Sequence, residues 1–187
     1  MTYINQTLTF TEKEIYFVSS LEEKKEVMMN WEDSIMQASA NYICENGGDI
    51  LEIGFGMGIS ADYIQANSIN SHTIIENHPQ IIEKAKLWAA DKPNVTIVEG
   101  DWYTLKDTLP TYDGIFYDTY GDENYVNLKD PLDNLTNPGC KVTWWNSISE
   151  ENNLMGIDNV VYDKIAITPP LNAYFNYEFY YLPKKQY

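Results

Sequence analysis

Apolar positions along this chain switch between two periods, and the switches predict its elements. From Asp33 onward, Ile35, Ala38, Tyr42 and Ile43 recur at helical spacing. Asp33 or Ser34 can cap that helix, and Gly47-Gly48 ends it. DILEIGFGMG (49–58) then reads as a buried strand entering a glycine loop, and ISADYIQAN (59–67) as a short helix. HTIIE (72–76) is a second strand. PQIIEKAKLWAADK (79–92) is a helix opened by Pro79, which is tolerated in a first turn because its missing N–H has no partner there. NVTIVEG (94–100), YDGIFYDTY (112–120) and CKVTWWN (140–146) continue as third, fourth and fifth strands. NAYFNYEFYYLP (172–183) alternates with period two, as a strand with one wet face does, which suits antiparallel pairing. Ahead of Asp33, Ile4, Leu8 and Phe10 suggest a short extended piece, and LEEKKEVMMN (21–30) a charged helical turn. Strands alternating with helices predict an α/β fold: a doubly wound, mainly parallel sheet with an antiparallel C-terminal strand.

A length of 187 residues suits one domain. The net charge of −16 disfavours nucleic acid, whose binders carry a basic footprint, and attracts cationic small molecules or peptides. Cys44 and Cys140 lie far apart without ligand-like spacing, so neither a disulfide framework nor a metal site is expected. No run approaches the ~20 apolar residues of a membrane span, and no secretory signal is visible. A cytoplasmic protein without membrane attachment is the expectation.

Four features end successive strands on one predicted sheet edge, where open α/β sheets bind ligands. The loop Gly54-Phe55-Gly56-Met57-Gly58 lets backbone N–H groups approach a nucleoside without an intervening Cβ. Its third glycine falls one residue short of the dinucleotide fingerprint. Glu76 can accept from both ribose hydroxyls, Asp101 from an adenine amino group, and Trp102 can stack on the ring. Asp118 ends the fourth strand. Glu52, just before the loop, would repel a pyrophosphate and welcome an amine, which favours S-adenosylmethionine over NAD.

These strings carry a family resemblance. VMMNWEDSIM (27–36), GGDILEIGFGMGIS (47–60), HTIIENHPQ (72–80), GDW (100–102) and YDGIFYDTYGD (112–122) together resemble the guanidinoacetate methyltransferase and δ-nitrogen arginine methyltransferase family, from about Val27 to Asn146. The resemblance implies a Rossmann-like class I methyltransferase that uses S-adenosyl-L-methionine to methylate a guanidino nitrogen of guanidinoacetate, arginine or a related compound. It implies that the segment Phe55 to Ser60, including Ile59, wraps the cofactor, with Met28 and Met36 in contact. Glu76, Asn77 and His78 would hold the ribose side, and Asp101 with Trp102 the adenine. Glu32 and Asp118 would hold the guanidino group, with Asp118 as proton acceptor and Glu32 as clamp. Asn146, Ser147 and Ile148 would meet the other end of the substrate. Residues 1–30 would form an arm or lid on a core spanning 31–187. Only 22 residues separate Asn146 from Pro169, where the family carries a longer helical passage. A shortened passage would expose apolar sheet surface and favour a homodimer. Two alternatives stay open: a methyltransferase for another small molecule, and a protein that holds the cofactor without turnover.

Overall fold

A computed structural model describes residues 2–122, 128–146, 156–170 and 177–187. Its seven-stranded sheet runs in the order β6-β5-β4-β7-β8-β10-β9. The strands are β4 (Asp49–Ile53), β5 (Ser71–Glu76), β6 (Val95–Glu99), β7 (Tyr112–Tyr117), β8 (Thr136–Trp144), β9 (Val161–Ala166) and β10 (Phe179–Gln186). Strands β4 to β8 pair in parallel, and β10 runs antiparallel to both β8 and β9. The chain reverses direction in strand order beside β4, the position where doubly wound sheets open a crevice at their C-terminal edge.

Helices α1 (Asp33–Ile43), α2 (Ile59–Gln65), α3 (Pro79–Ala89), α4 (Trp102–Leu105) and α5 (Lys129–Leu135) cover the sheet. Alternation along β4 divides the core. Ile50 packs with Ile35, Met36, Ala40 and Ile43 of α1, while Leu51 and Ile53 pack with Leu132 and Leu135 of α5. All of these are essentially inaccessible to water, each such aliphatic side chain contributing roughly 1.5–3 kcal/mol by burial. No helix among the described residues is long and apolar enough to cross a membrane.

The N-terminal part departs from expectation. A second sheet forms from β1 (Thr9–Phe10), β2 (Glu14–Val18) and β3 (Lys24–Met29), paired antiparallel in that order. The predicted helical turn at 21–30 is therefore the end of a hairpin. Ser19 Oγ accepts from the backbone N–H groups of Leu21 and Glu23, and Glu22 adopts φ +60°, which closes the turn. Val27 and Met28 then serve a packed sheet face, against Ile15 and Phe17 in β2 and the first helices of the core. Helices α4 and α5 and strand β9 are too short or too charged to have been predicted. In the stretch before the last strands, residues 147–155 lie outside the description and Val161–Ala166 forms a strand. Part of the predicted alternating segment, 172–176, also lies outside it; the described strand begins at Phe179.

Candidate functional site

Strands β4, β5, β6 and β7 end at Ile53, Glu76, Glu99 and Tyr117, and the four predicted features share that sheet edge, in the spatial order Asp101, Glu76, glycine loop, Asp118. They enclose a cavity of about 360 Å³. Gly54, Phe55, Gly56 and Ser60 form one wall, Glu76 and Asn77 the next, then Gly100, Asp101 and Trp102, then Asp118. Thr2, Tyr3 and Ile4 close it from the N-terminal side. Tyr3 packs its ring against Tyr120 at 4.8 Å and His78 at 5.0 Å, which holds that segment over the opening.

The glycine loop is shaped by close approach. Gly54 has φ +95°, and a Cβ there would lie 1.9 Å from the carbonyl oxygen of Asp118. Gly56 has φ +53°, and a Cβ there would meet Met28 Sδ at 2.3 Å. Met28 fills that space, and the Met57 N–H donates to its sulfur at 3.0 Å. Glu76 accepts from three backbone N–H groups, those of Phe55, Asn77 and His78, at 3.0, 2.8 and 2.8 Å. Its carboxylate is thereby fixed at the cavity wall, with one acceptor site, on the oxygen bonded to the Phe55 N–H, left for a ligand's hydroxyl. Asp101 caps α4, accepting from the backbone N–H of Thr104 at 2.9 Å.

A second cavity, about 500 Å³, adjoins the first across Val27, Asp118, Thr119, Tyr120 and Gly121. Glu26, Glu32 and Asp118 line it with carboxylates, Lys24 (paired with Glu14 and Glu26) and Lys25 (paired with Glu23) with ammonium groups, and Trp31 and Trp145 with large aromatic surfaces. Glu32 is the last residue of a 3-10 turn (Asn30–Glu32) and reaches back to accept from the Met29 N–H at 2.8 Å. Burial, then the nearby Asp118 carboxylate, raises its pKa well above the usual carboxylate range. Asp118 has open space on both cavity sides and protein elsewhere. Burial, then the charges of Glu52 and Glu76, push its pKa up to about 7. No described residue donates a hydrogen bond to the Asp118 side chain. Tyr180 sits behind this region, fully buried, accepting from the Asn146 N–H at 2.6 Å and stacking on Trp145 at 5.1 Å.

Several predicted contacts lie elsewhere. Met36 is wholly inside the α1 core, because its helical phase places it with Ile35 and Ala40. Met57, Gly58 and Ile59 turn the chain into α2 and are not on either cavity wall. His78 caps α3, accepting from the Gln80 N–H at 3.3 Å, and its Nε2 lies 3.2 Å from the Gln6 carbonyl oxygen. Asn146 is buried, donating to the Tyr181 carbonyl. Ser147 and Ile148 lie outside the described residues. Glu52, expected to meet the ligand, is enclosed instead: Ser60 Oγ donates to it, and His72 Nε2 lies 2.9 Å from its other oxygen. It reaches the site through its field at Asp118 and through its hold on Ser60, a wall of the first cavity. Conversely, Tyr3, Trp145 and the Thr119–Asp122 loop line the cavities and were not foreseen. For Trp145 and the loop the sequence signal was proximity to the ends of β8 and β7; Tyr3 carried none.

Comparison with known proteins accords with this arrangement. The profile of the family described as Guanidinoacetate N-methyltransferase matches residues 19–155. The protein named "Protein arginine N-methyltransferase 2" from Yarrowia lipolytica is 37% identical over 150 residues, covering 72% of this chain and 30% of that one. Proteins of the same name from Candida glabrata and Saccharomyces cerevisiae are 31% and 32% identical, covering 98% and 87% of this chain and 52% and 48% of theirs. The chain thus spans between about a third and a half of these relatives' length. Among solved structures, spermidine synthase from Thermotoga maritima superposes with a TM-score of 0.68 at 11% identity, over 96% of this chain and 72% of that one. The N-methyltransferase NodS from Bradyrhizobium japonicum superposes with 0.62 at 12% identity, over 83% and 96%. At such identities these two establish the shared fold, a Rossmann-like α/β sheet. The matched profile spans the hairpin turn and its second strand, the glycine loop, all four strand ends, Glu32 and Asp118, and the chain belongs to the guanidinoacetate N-methyltransferase family.

Proposed function

We propose that this chain carries an S-adenosylmethionine-dependent N-methyltransferase acting on a guanidino nitrogen, of guanidinoacetate, arginine or an arginine side chain. One observation carries the reading: Asp118 stands in the wall shared by two cavities of different chemistry. The first suits an adenosyl amino acid. Gly54 and Gly56 let the loop pack directly on Asp118 and Met28 at positive φ while it lines the cavity, Glu76 presents a fixed carboxylate, and Trp102 offers an aromatic surface. Its volume falls within the usual range for cofactor pockets. When bound there, S-adenosylmethionine supplies a methyl group on a sulfonium sulfur.

The second cavity suits a planar cation. Trp31 and Trp145 present faces that attract guanidinium, and Glu32 and Asp118 match its donor fork. A protonated guanidinium has no free lone pair, so the acceptor nitrogen must give up a proton as it gains a carbon. Asp118 takes that proton. A pKa of about 7 in the free protein suits a general base, and the incoming cation draws it down so that the carboxylate is ready. Glu32 fixes the second edge of the fork and with it the direction in which the reacting nitrogen points.

The test is calorimetric titration with S-adenosylmethionine and S-adenosylhomocysteine, followed by guanidinoacetate, arginine and an arginine-containing peptide, with methylated products read by mass. Saturable cofactor binding and a methylated guanidino product are expected. Absence of cofactor binding overturns the reading, and cofactor binding without any guanidino product removes the acceptor half of it.

A further inference from the structure

Asp122 lies in the loop that follows Asp118, and one of its oxygens serves two donors from opposite sides of the site. Trp102 Nε1 donates to Asp122 Oδ2 at 2.5 Å, and the Tyr117 hydroxyl donates to the same oxygen at 2.6 Å. Thr119 Oγ1 in turn donates to the Tyr117 hydroxyl at 2.9 Å. The Trp102 and Tyr117 rings meet edge to face at 5.4 Å. Trp102 is a wall of the first cavity, whereas Tyr117 and Thr119 are the residues immediately before and after Asp118. Tyr117 and Trp102 are both almost fully buried, so neither polar group has water to fall back on. Burial, then the Asp122 contact, raises the Tyr117 pKa and keeps the phenol protonated as a donor.

We propose that Asp122 is a positioning residue: it ties the indole of Trp102 to the backbone segment carrying Asp118, so that seating the adenosyl group in the first cavity sets the Asp118 carboxylate for the acceptor in the second. This rests on the functional reading above. Its consequence is ordered, cooperative binding. A ligand that immobilises Trp102 also immobilises Tyr117 and Thr119, so the acceptor that binds second loses less freedom in ordering Asp118. The coupling is reciprocal, so the acceptor tightens the cofactor by the same factor.

The experiment compares the dissociation constant of a guanidino acceptor for the free protein and for the protein saturated with S-adenosylhomocysteine, in wild type, Asp122→Ala, Asp122→Asn and Tyr117→Phe. Thermal unfolding confirms that each variant is folded, and Tyr117→Phe serves should Asp122→Ala fail to fold. In wild type the acceptor binds about 10-fold more tightly to the saturated protein, within the range usual for coupled sites. Asp122→Ala and Tyr117→Phe reduce that ratio to below about 3, while Asp122→Asn, which keeps an acceptor oxygen, retains most of it. Folded Asp122→Ala or Tyr117→Phe protein with the wild-type ratio overturns the proposal and leaves Asp122 a loop staple. A wild-type ratio near 1 with both ligands binding overturns it while sparing the functional reading. Wild-type protein that binds no adenosyl ligand overturns both.

Discussion

Gly54 and Asp118 pack so closely that a side chain at the first would lie 1.9 Å from the backbone oxygen of the second. The cofactor loop and the proposed base are therefore one packed unit, further joined by the Asp118 N–H donating to the Ile53 carbonyl at 2.9 Å. Gly54→Ala forces both an unfavourable positive φ, costing about 1–2 kcal/mol, and a displacement of the Asp118 backbone. The expected outcome is a lowered unfolding temperature together with at least a 10-fold loss of S-adenosylhomocysteine affinity, measured by calorimetry. Unchanged affinity would show that the loop and Asp118 move independently.

Asp118→Asn keeps the shape of the side chain and removes its capacity to take a proton. Turnover is expected to fall by about 10²–10⁴-fold, with cofactor affinity changed little. Glu32→Gln is expected to act differently, raising KM for the acceptor more than it lowers kcat, since one carboxylate remains to accept the proton. Steady-state kinetics with the acceptor varied separates the two.

Asp118 contributes to the pH dependence of both activity and stability. In the free protein its carboxyl titrates near 7, so kcat/KM should rise with pH through about 7 and level off above it. Stability runs the other way. The unfolded chain releases this proton near pH 4 and the folded chain near 7, so between those values the folded state binds more protons. Stability of the ligand-free protein therefore falls as pH rises across that window and is level above it. Asp118→Asn removes the penalty, on the order of 2 kcal/mol after allowing for the water that reaches the side chain. That corresponds to an unfolding temperature roughly 4–8 °C higher than wild type at pH 8, with no gain at pH 4. Calorimetric scans at the two pH values check it.

Trp145 lines the second cavity while stacking on Tyr180 at 5.1 Å. Trp145→Leu keeps apolar volume and loses the π-surface. Acceptor affinity should drop by about 5–30-fold, equivalent to ~1–2 kcal/mol of cation–π attraction, with S-adenosylhomocysteine affinity within twofold of wild type. Equal losses for both ligands would point to a general collapse of the sheet end.

Period and punctuation carried much of the fold. Strands β4 to β8 were legible because each is a compact apolar run bounded by Gly, Asn or Asp, and α1 and α3 because their apolar spacing and caps agree. The hairpin around Ser19–Glu23 was misread because its charges imitate a solvated helix face. The pairing of Lys24–Met29 with β2 depends on partners across the turn, up to Glu14 for Met29, beyond the reach of a helical period.

The sequence by itself determined the order of the strand ends, and hence that Gly54, Glu76, Asp101 and Asp118 share one sheet edge, because a parallel sheet aligns its C-terminal ends whatever the loops do. Tertiary structure alone decided which side of each strand end faces a cavity. Glu52 is a carboxylate like Asp118 and Glu76, yet it is enclosed with Ser60 and His72, and His78, polar and next to the Glu76 strand end, is taken up capping α3 through the Gln80 N–H. It also brought Glu32, Trp31 and Trp145 beside Asp118, from the turn before α1 and the end of β8. These residues lie more than 80 positions apart at the extremes, and no local period encodes their meeting; only packing of α1 and the hairpin against the sheet does.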